Sequence, residues 1–182
     1  MTYQDIPGDM CDFRSYYRAI AEMLPSPCRI IEVGVADGHS SIFLAETLEL
    51  LGKDFQMVMV ENMDYGKEEQ QNTLLTNIIN SGLAHKIRLL ALDSLAASCK
   101  FPDQWAQFVF IDASHKYEQT KADIRLWSRK VQAGFYLAGH DYYMEDVGAA
   151  VREVIPKDRL EIHQTEKGLG VWAVKINDKP LC

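Results

Sequence analysis

The sequence lacks the features that would place it in several common functional classes. Its four cysteines are scattered without a C-x-x-C pair, so neither a zinc site nor a disulfide framework is indicated. The formal net charge is −7, with no cluster of Lys and Arg suited to nucleic acid or to an anionic membrane surface. No run is apolar enough to span a bilayer, and the N-terminus has no apolar signal segment. We therefore expect a cytoplasmic protein that binds neither nucleic acid nor membrane.

What remains is the composition of an ordinary globular chain. The 182 residues are 47% hydrophobic and 25% charged, without repeats or convincing linkers, which predicts one domain over residues 1–182. An accessory N-terminal helix is expected over residues 12–24, with Asp12 as its cap. Its apolar positions lie at the spacing of one helical face: Phe13, Tyr17, Ile20, Ala21 and Leu24. This apolar stripe is our reason for expecting a homodimer.

Short apolar runs alternate with helical patterns along most of the chain. Strands are predicted at 29–33, 55–61, 87–93, 108–112 and 135–141, and helices at about 42–51, 68–80, 117–132 and 144–154. In the second helix, Leu48 and Leu51 are candidate buried positions. The last two strands, in 159–165 and 169–176, are joined by "EKG" and form a hairpin. The pattern predicts a Rossmann-like, doubly wound α/β fold whose mostly parallel sheet ends in an antiparallel hairpin.

The loop after the first predicted strand reads "EVGVADGHSS". Ala36 and His39 stand where a G-x-G-x-x-G dinucleotide motif would have glycine, and no G-x-x-x-x-G-K-[ST] motif is present. Gly34 and Gly38 therefore predict a tight loop before a helix N-terminus without a standard phosphate cradle. Such a loop still suits an anion, for example the carboxylate of an amino acid.

The following strands end in further polar residues. Glu61 closes the second strand, where an acidic side chain can bind both hydroxyls of a ribose. Asp93 and Ser94 close the third, where small polar groups can meet the edge of an adenine. A ligand that combines a carboxylate, an unphosphorylated ribose and an adenine is S-adenosylmethionine.

The segments "IIEVGVADGHSSIFLAE", "FVFIDASHKYEQTKADIRLW" and "AGFYLAGHDY", together with Glu61, resemble the class I S-adenosylmethionine-dependent methyltransferases. More narrowly, they resemble small bacterial enzymes related to the macrocin-type sugar O-methyltransferases. The resemblance implies the strand order 3-2-1-4-5-7-6 and a small hydroxylated substrate. It also implies that Glu32, Gly34 and Gly38 shape the methionine pocket, with Glu61 at the ribose and Asp93 and Ser94 near the adenine.

Asp112 ends the fourth predicted strand and Asp141 the fifth, which the implied topology makes neighbours. Adjacent strands lie about 4.8 Å apart, so the two carboxylates can share a hard cation such as Mg²⁺ at the edge of the cofactor site. His115 is the candidate general base, because histidine exchanges protons near neutral pH. His140 stands where several relatives have an acid, so we treat it as a candidate ligand for a transition metal, a second base or a structural residue.

Each assignment has a structural alternative. Gly38 can simply permit the turn, Glu61 can be a solvated strand end, and Asp93 can cap a turn. Asp112 and His115 can likewise stabilise their own loop. At the level of function, the alternatives are a protein that binds S-adenosylmethionine without turnover and a metal-dependent oxygenase that uses two histidines and one carboxylate.

Overall fold

The computed structural model describes residues 2–6, 11–63, 67–178 and 181, without the side chains of residues 67, 68 and 70. A short 3₁₀ helix at Tyr3–Asp5 precedes the regular elements. The helices are α1 Arg14–Met23, α2 His39–Leu50, α3 Lys67–Asn80, α4 Ser94–Ser98, α5 Tyr117–Ser128 and α6 Glu145–Val154. The strands are β1 Cys28–Val33, β2 Phe55–Glu61, β3 Ile87–Ala91, β4 Ala106–Ile111, β5 Val131–Gly139, β6 Leu160–His163 and β7 Val171–Lys175.

The strands form one seven-stranded sheet in the order β3-β2-β1-β4-β5-β7-β6. The pairs from β3 to β5 are parallel, while β7 runs antiparallel to both β5 and β6. Val33 pairs with Ile111, and Ile111 pairs with Gly139, so β1, β4 and β5 end level with one another. The predicted α/β fold and strand order are therefore confirmed, and the loops that follow these three strands meet at one edge.

Strand β4 shows how the sequence fills both faces of the sheet. Phe108 and Phe110 lie in the core against α1, α2 and α3, whereas Val109 and Ile111 lie in the core against α4, α5 and α6. Successive strand residues point to opposite faces. Burial on both sides explains why the run is apolar throughout instead of alternating with polar residues.

The N-terminal region departs from the prediction in one respect that matters for the site. Helix α1 begins at Arg14 with Phe13 at the N-cap, and no side chain caps it. Asp12 is instead buried, with only 2% of its surface exposed. The apolar stripe of α1 packs inside the chain, so it is not available for the dimer contact that it suggested.

Other boundaries were wrong for identifiable reasons. Leu51 is 44% exposed, because α2 has ended before it. Helix α5 ends at Ser128 and β5 begins at Val131, earlier than expected, since "VQAGFYLAG" mixes polar and apolar residues. The short helix α4 was not predicted. Within the described residues, no helix has the length and apolar character needed to cross a membrane.

Candidate active site

The glycine loop after β1 lies directly against the end of β4. Gly34 has a φ of +82°, and a Cβ atom placed on it would lie 2.1 Å from the carbonyl oxygen of Asp112. The Asp112 amide donates to the carbonyl of Val33 at 2.8 Å. Only glycine permits both this backbone conformation and this close approach. The loop predicted to hold a cofactor and the strand end predicted to carry the chemistry are thus in backbone contact.

Glu61 fixes the same loop from the other side. Its Oε2 accepts hydrogen bonds from the backbone amides of Val35 and Ala36, each at 2.9 Å, and its Oε1 accepts from the amide of Asn62 at 3.1 Å. A carboxylate has about four acceptor positions, so these three contacts leave about one for a ribose hydroxyl. Glu61 is therefore not the solvated strand end of the alternative interpretation. It holds the loop, and ribose binding stays a prediction.

Glu32 is fully buried beneath the start of α2. Its carboxylate accepts hydrogen bonds from the hydroxyls of Ser40 and of Ser41, the latter at 2.8 Å. Burial raises the pKa of Glu32 to about 7, although the two serine hydroxyls act in the opposite direction. Gly38, at a φ of +84°, is the N-cap of α2. Glu32 and Gly38 therefore set the direction of the helix that borders the predicted methionine pocket.

Asp93 and Ser94, predicted to lie near an adenine, have structural contacts. The Asp93 carboxylate caps α4 by accepting from the amide of Ala96 at 2.9 Å, as the alternative interpretation expected. The Ser94 hydroxyl donates to Asp123 and accepts from the indole of Trp127 at 2.8 Å. Asp123 is buried, and its pKa is raised to about 6 by that burial. This network was not predicted, because Asp123 lies in an ordinary helical pattern.

Asp112, His115 and Asp141 come together at the ends of β4 and β5. One possible ligand atom from each lies within 4.8 Å of the others. His115 Nε2 is 2.8 Å from Asp141 Oδ2, and the imidazole is 51% exposed. Asp141 is buried at a φ of +59°, and burial followed by the charge of Asp112 raises its pKa. The structure thus brings the three side chains together, with Asp141 in a backbone conformation that is uncommon for a residue other than glycine.

His140 lies behind this cluster. Its Nε2 is 2.8 Å from Asp12 Oδ1, while its Nδ1 is 3.4 Å from Asp141 Oδ1 and 3.7 Å from Asp112 Oδ1. Burial lowers the pKa of His140, but the contact with Asp112 and the charges of the three carboxylates outweigh it and raise that pKa above its usual value. Sequence reasoning missed Asp12, which it assigned to a helix cap.

Tyr142 and Tyr143 lie in the turn that follows β5. Tyr142 packs against the core, while Tyr143 is half-exposed and its hydroxyl accepts from Gln164 at 2.7 Å. The hydroxyl of Tyr117 donates to Glu153. Of the adjacent pair, Tyr143 is therefore the residue whose side chain is open to solvent.

Fold and site together define an α/β protein of the methyltransferase type. Residues 31–142 match the model of a family described as a methyltransferase domain. This match covers 112 of the 182 residues, more than half, and the chain therefore belongs to that family. A search of curated proteins found no match.

Solved structures show the same fold at low sequence identity. The cofactor-bound protein Rv0187 from MTB superposes with a TM-score of 0.76 at 16% identity, over 96% of this chain and 85% of that one. A candidate caffeoyl-CoA O-methyltransferase from Staphylococcus aureus gives 0.71 at 14% identity, over 94% and 87% of the two chains. An S-adenosylmethionine-dependent O-methyltransferase from Thermotoga maritima gives 0.65 at 18% identity, over 91% and 66%.

Proposed function

We propose that this chain is an S-adenosylmethionine-dependent O-methyltransferase that acts on a small hydroxylated molecule with the help of a divalent metal. Membership of the methyltransferase-domain family supports the reaction class. The resemblance of "IDASHKYE" and "GHDY" to the macrocin-type enzymes supports the narrower assignment to a hydroxyl acceptor.

One observation carries the proposal. The glycine loop and the cluster of Asp112, His115 and Asp141 share a backbone contact at Gly34. Methyl transfer needs an electrophilic methyl group and an acceptor oxygen held in line a few ångströms apart. A loop that binds the methyl donor and a cluster that binds and deprotonates the acceptor must therefore be adjacent, as these two regions are.

The residues present suit a divalent cation. Asp112 and Asp141 supply carboxylate oxygens, and the pKa of the Asp141 carboxyl is raised, because burial and then the negative charge of Asp112 disfavour its ionisation. Carboxylate oxygens suit Mg²⁺ and Mn²⁺. When bound, such an ion lowers the pKa of a coordinated hydroxyl and orients it.

His115 is the residue that can take the proton of the acceptor hydroxyl. Its imidazole is half-exposed and therefore accessible to a substrate arriving from solvent. Asp141 Oδ2, 2.8 Å from Nε2, stabilises the imidazolium that forms when the ring accepts the proton. S-adenosylmethionine, when bound, supplies a methyl group on a positively charged sulfur.

On the donor side, the chain supplies a preformed loop. Glu61 holds the amides of Val35 and Ala36, and Gly38 sets the start of α2. We assign the amino-acid part of the donor to this loop, the ribose to Glu61, and the adenine to the region of Asp93 and Ser94. The last of these assignments has the least support, because the hydroxyl of Ser94 already binds Asp123 and Trp127.

The proposal is tested by titration calorimetry with S-adenosylhomocysteine and by mass spectrometry of a panel of sugars and phenols incubated with S-adenosylmethionine, with and without EDTA. Binding together with a product 14 mass units heavier, formed only without EDTA, is expected. Binding without any product over a broad panel would favour the non-catalytic alternative. Iron- and 2-oxoglutarate-dependent turnover would favour the oxygenase, although the cluster found among the described residues has two carboxylates and one histidine.

The expectation of a homodimer stays open as a proposal. Its original basis, the stripe of α1, is buried, whereas Met23, Leu50 and Leu51 at the ends of α1 and α2 are exposed. Analytical ultracentrifugation at several concentrations would decide it, since a monomer at the highest concentration contradicts a dimer.

A further inference from the structure

Asp12 is a buried acidic side chain that lies outside the helix following it. It is 2% exposed, and nothing in the helix that follows uses it as a cap. Its Oδ2 accepts from the amide of Lys167 at 3.0 Å, and its backbone carbonyl accepts from the amide of Glu166 at 3.1 Å. Both contacts come from the turn between β6 and β7. Asp12 is thus fixed between the N-terminal segment and the final hairpin.

The remaining carboxylate oxygen of Asp12 faces His140. Oδ1 lies 2.8 Å from Nε2, and the ring of Phe13 packs against the imidazole with 4.7 Å between ring centroids. The contact of the carboxylate with Nε2 is an ion-pair contact outside hydrogen-bond geometry, and together with the ring of Phe13 it restricts the orientation of the imidazole. Its second nitrogen then points in a defined direction, which here is toward Asp112 and Asp141.

The two oxygens of Asp141 are divided between two histidines. Oδ1 lies 3.4 Å from His140 Nδ1, and Oδ2 lies 2.8 Å from His115 Nε2. Rotation of the Asp141 carboxylate would disturb both contacts together. Any residue that fixes His140 therefore fixes the oxygen that faces His115.

We propose that Asp12 and His140 form a buried positioning pair, in which Asp12 orients His140 and His140 holds Asp112 and Asp141 so that their other oxygens face the metal and His115. His140 is then a positioning residue and not a metal ligand. The inference rests on the proposed function, and it gives the N-terminal segment a role in the site that its sequence did not indicate.

The opposing explanation is that Asp12 only ties the N-terminal segment to the hairpin. The ion pair between Arg14 and Glu166, at 2.8 Å, links the same two regions without contacting His140. Glu166→Gln removes that ion pair and leaves the backbone contact to Asp12 in place. It is therefore the matched control for Asp12→Asn, which removes the charge facing His140 at nearly constant size.

The experiment compares wild type, Asp12→Asn and Glu166→Gln by three measurements: Mn²⁺ affinity by electron paramagnetic resonance, S-adenosylhomocysteine affinity by calorimetry, and histidine ring signals in ¹H–¹⁵N NMR spectra. We expect Asp12→Asn to weaken Mn²⁺ binding about 10- to 100-fold, as is usual for residues that orient metal ligands. The ring signals of both His140 and His115 should shift, while S-adenosylhomocysteine affinity stays within about threefold. Glu166→Gln should leave all three measurements unchanged.

A folded Asp12→Asn protein whose His115 signals do not move overturns the positioning pair, and so does wild-type affinity for Mn²⁺. If the wild type binds S-adenosylhomocysteine but no Mn²⁺, the metal part of the proposed function fails. The positioning pair of Asp12 and His140 is then tested by the histidine ring signals alone. Should Asp12→Asn not fold, His140→Gln provides the same test. It must shift the His115 signals, and unchanged signals would overturn the proposal.

Discussion

The two halves of the candidate site treat their polar side chains in opposite ways. On the glycine-loop side, the two buried carboxylates have hydrogen-bond donors inside the protein: Glu32 has Ser40 and Ser41, and Glu61 has the loop amides. At the ends of β4 and β5, the carboxylates of Asp12, Asp112 and Asp141 converge around two imidazoles. The buried carboxylates beside the glycine loop have their hydrogen bonds before any ligand binds, whereas the ends of β4 and β5 bring negative charges close together.

This difference indicates what each half needs from a ligand. Buried groups with their hydrogen bonds made keep a fixed shape, which suits a loop that receives a cofactor. Burial raises the pKa of Asp141, and repulsion from the negative charge of Asp112 raises it further. A cation relieves that repulsion. The comparison therefore predicts that changes on the two sides have separable effects, and four substitutions test it.

The largest expected effect is on turnover. His115→Ala should lower kcat by about 10²–10⁴-fold, the usual loss on removing a general base, with a milder loss for more acidic acceptor hydroxyls. Mn²⁺ affinity should change by less than about threefold if the ring acts as base and not as ligand. The exposed His85→Ala serves as control in the same assays. Full activity of His115→Ala, or a large loss of Mn²⁺ binding, would contradict the assignment.

Gly34→Ala should destabilise the protein by about 2–6 kcal/mol, the sum of backbone strain at positive φ and overpacking against the Asp112 carbonyl. Gly52→Ala is the matched control, because Gly52 also has a positive φ, +66°, but has nothing within 4 Å of an added Cβ. Urea denaturation measures both free energies of unfolding. Equal losses for the two variants would show that the contact between the loop and Asp112 is not tight.

Asp112→Asn should weaken Mn²⁺ binding by about 10- to 150-fold, the equivalent of losing about 1.5–3 kcal/mol of charged interaction. Affinity for S-adenosylhomocysteine should be nearly unchanged, because the loop amides are held by Glu61. Asp103→Asn, which breaks a surface contact with Arg129 and Lys130, is the control. If turnover of Asp112→Asn is normal and insensitive to chelator, the metal mechanism is wrong.

The smallest effect concerns pH and Glu32. The pKa of Glu32 is raised from its usual value of 4.5 to about 7 in the folded chain. Between these two pH values, the folded chain therefore keeps a proton that the unfolded chain has released. Its contribution to stability is fully present below pH 4.5 and is lost as the pH rises through 7. Glu32→Gln should remove this part of the decline, about 1–3 kcal/mol, from urea unfolding curves. Asp123, whose pKa is raised to about 6, should leave part of the decline of stability with pH in Glu32→Gln. If the free energy of unfolding has the same pH dependence in wild type and in Glu32→Gln, the raised pKa of Glu32 is refuted.

The apolar runs allowed the α/β fold to be predicted, and the resemblance to class I S-adenosylmethionine-dependent methyltransferases implied the strand order. The meeting of Asp112, His115 and Asp141 follows from that order together with the polar residues that come after the fourth and fifth strands. The partners of Asp12 and Ser94 could not be predicted. Asp12 is fixed by a hairpin turn more than 150 residues further along the chain, and Ser94 by a residue on α5. No local pattern of residues encodes such long-range contacts, and a helix cap was the natural local interpretation of Asp12.

The contact between Gly34 and the Asp112 carbonyl has a thermodynamic consequence. Under the proposed function, any movement of the loop on donor binding also moves the backbone of Asp112, which links binding of the donor to binding of the metal. Linkage is reciprocal: the factor by which S-adenosylhomocysteine changes the Kd for Mn²⁺ must equal the factor by which Mn²⁺ changes the Kd for S-adenosylhomocysteine. The close approach that Gly34 permits is therefore the point through which we expect each ligand to change the affinity for the other.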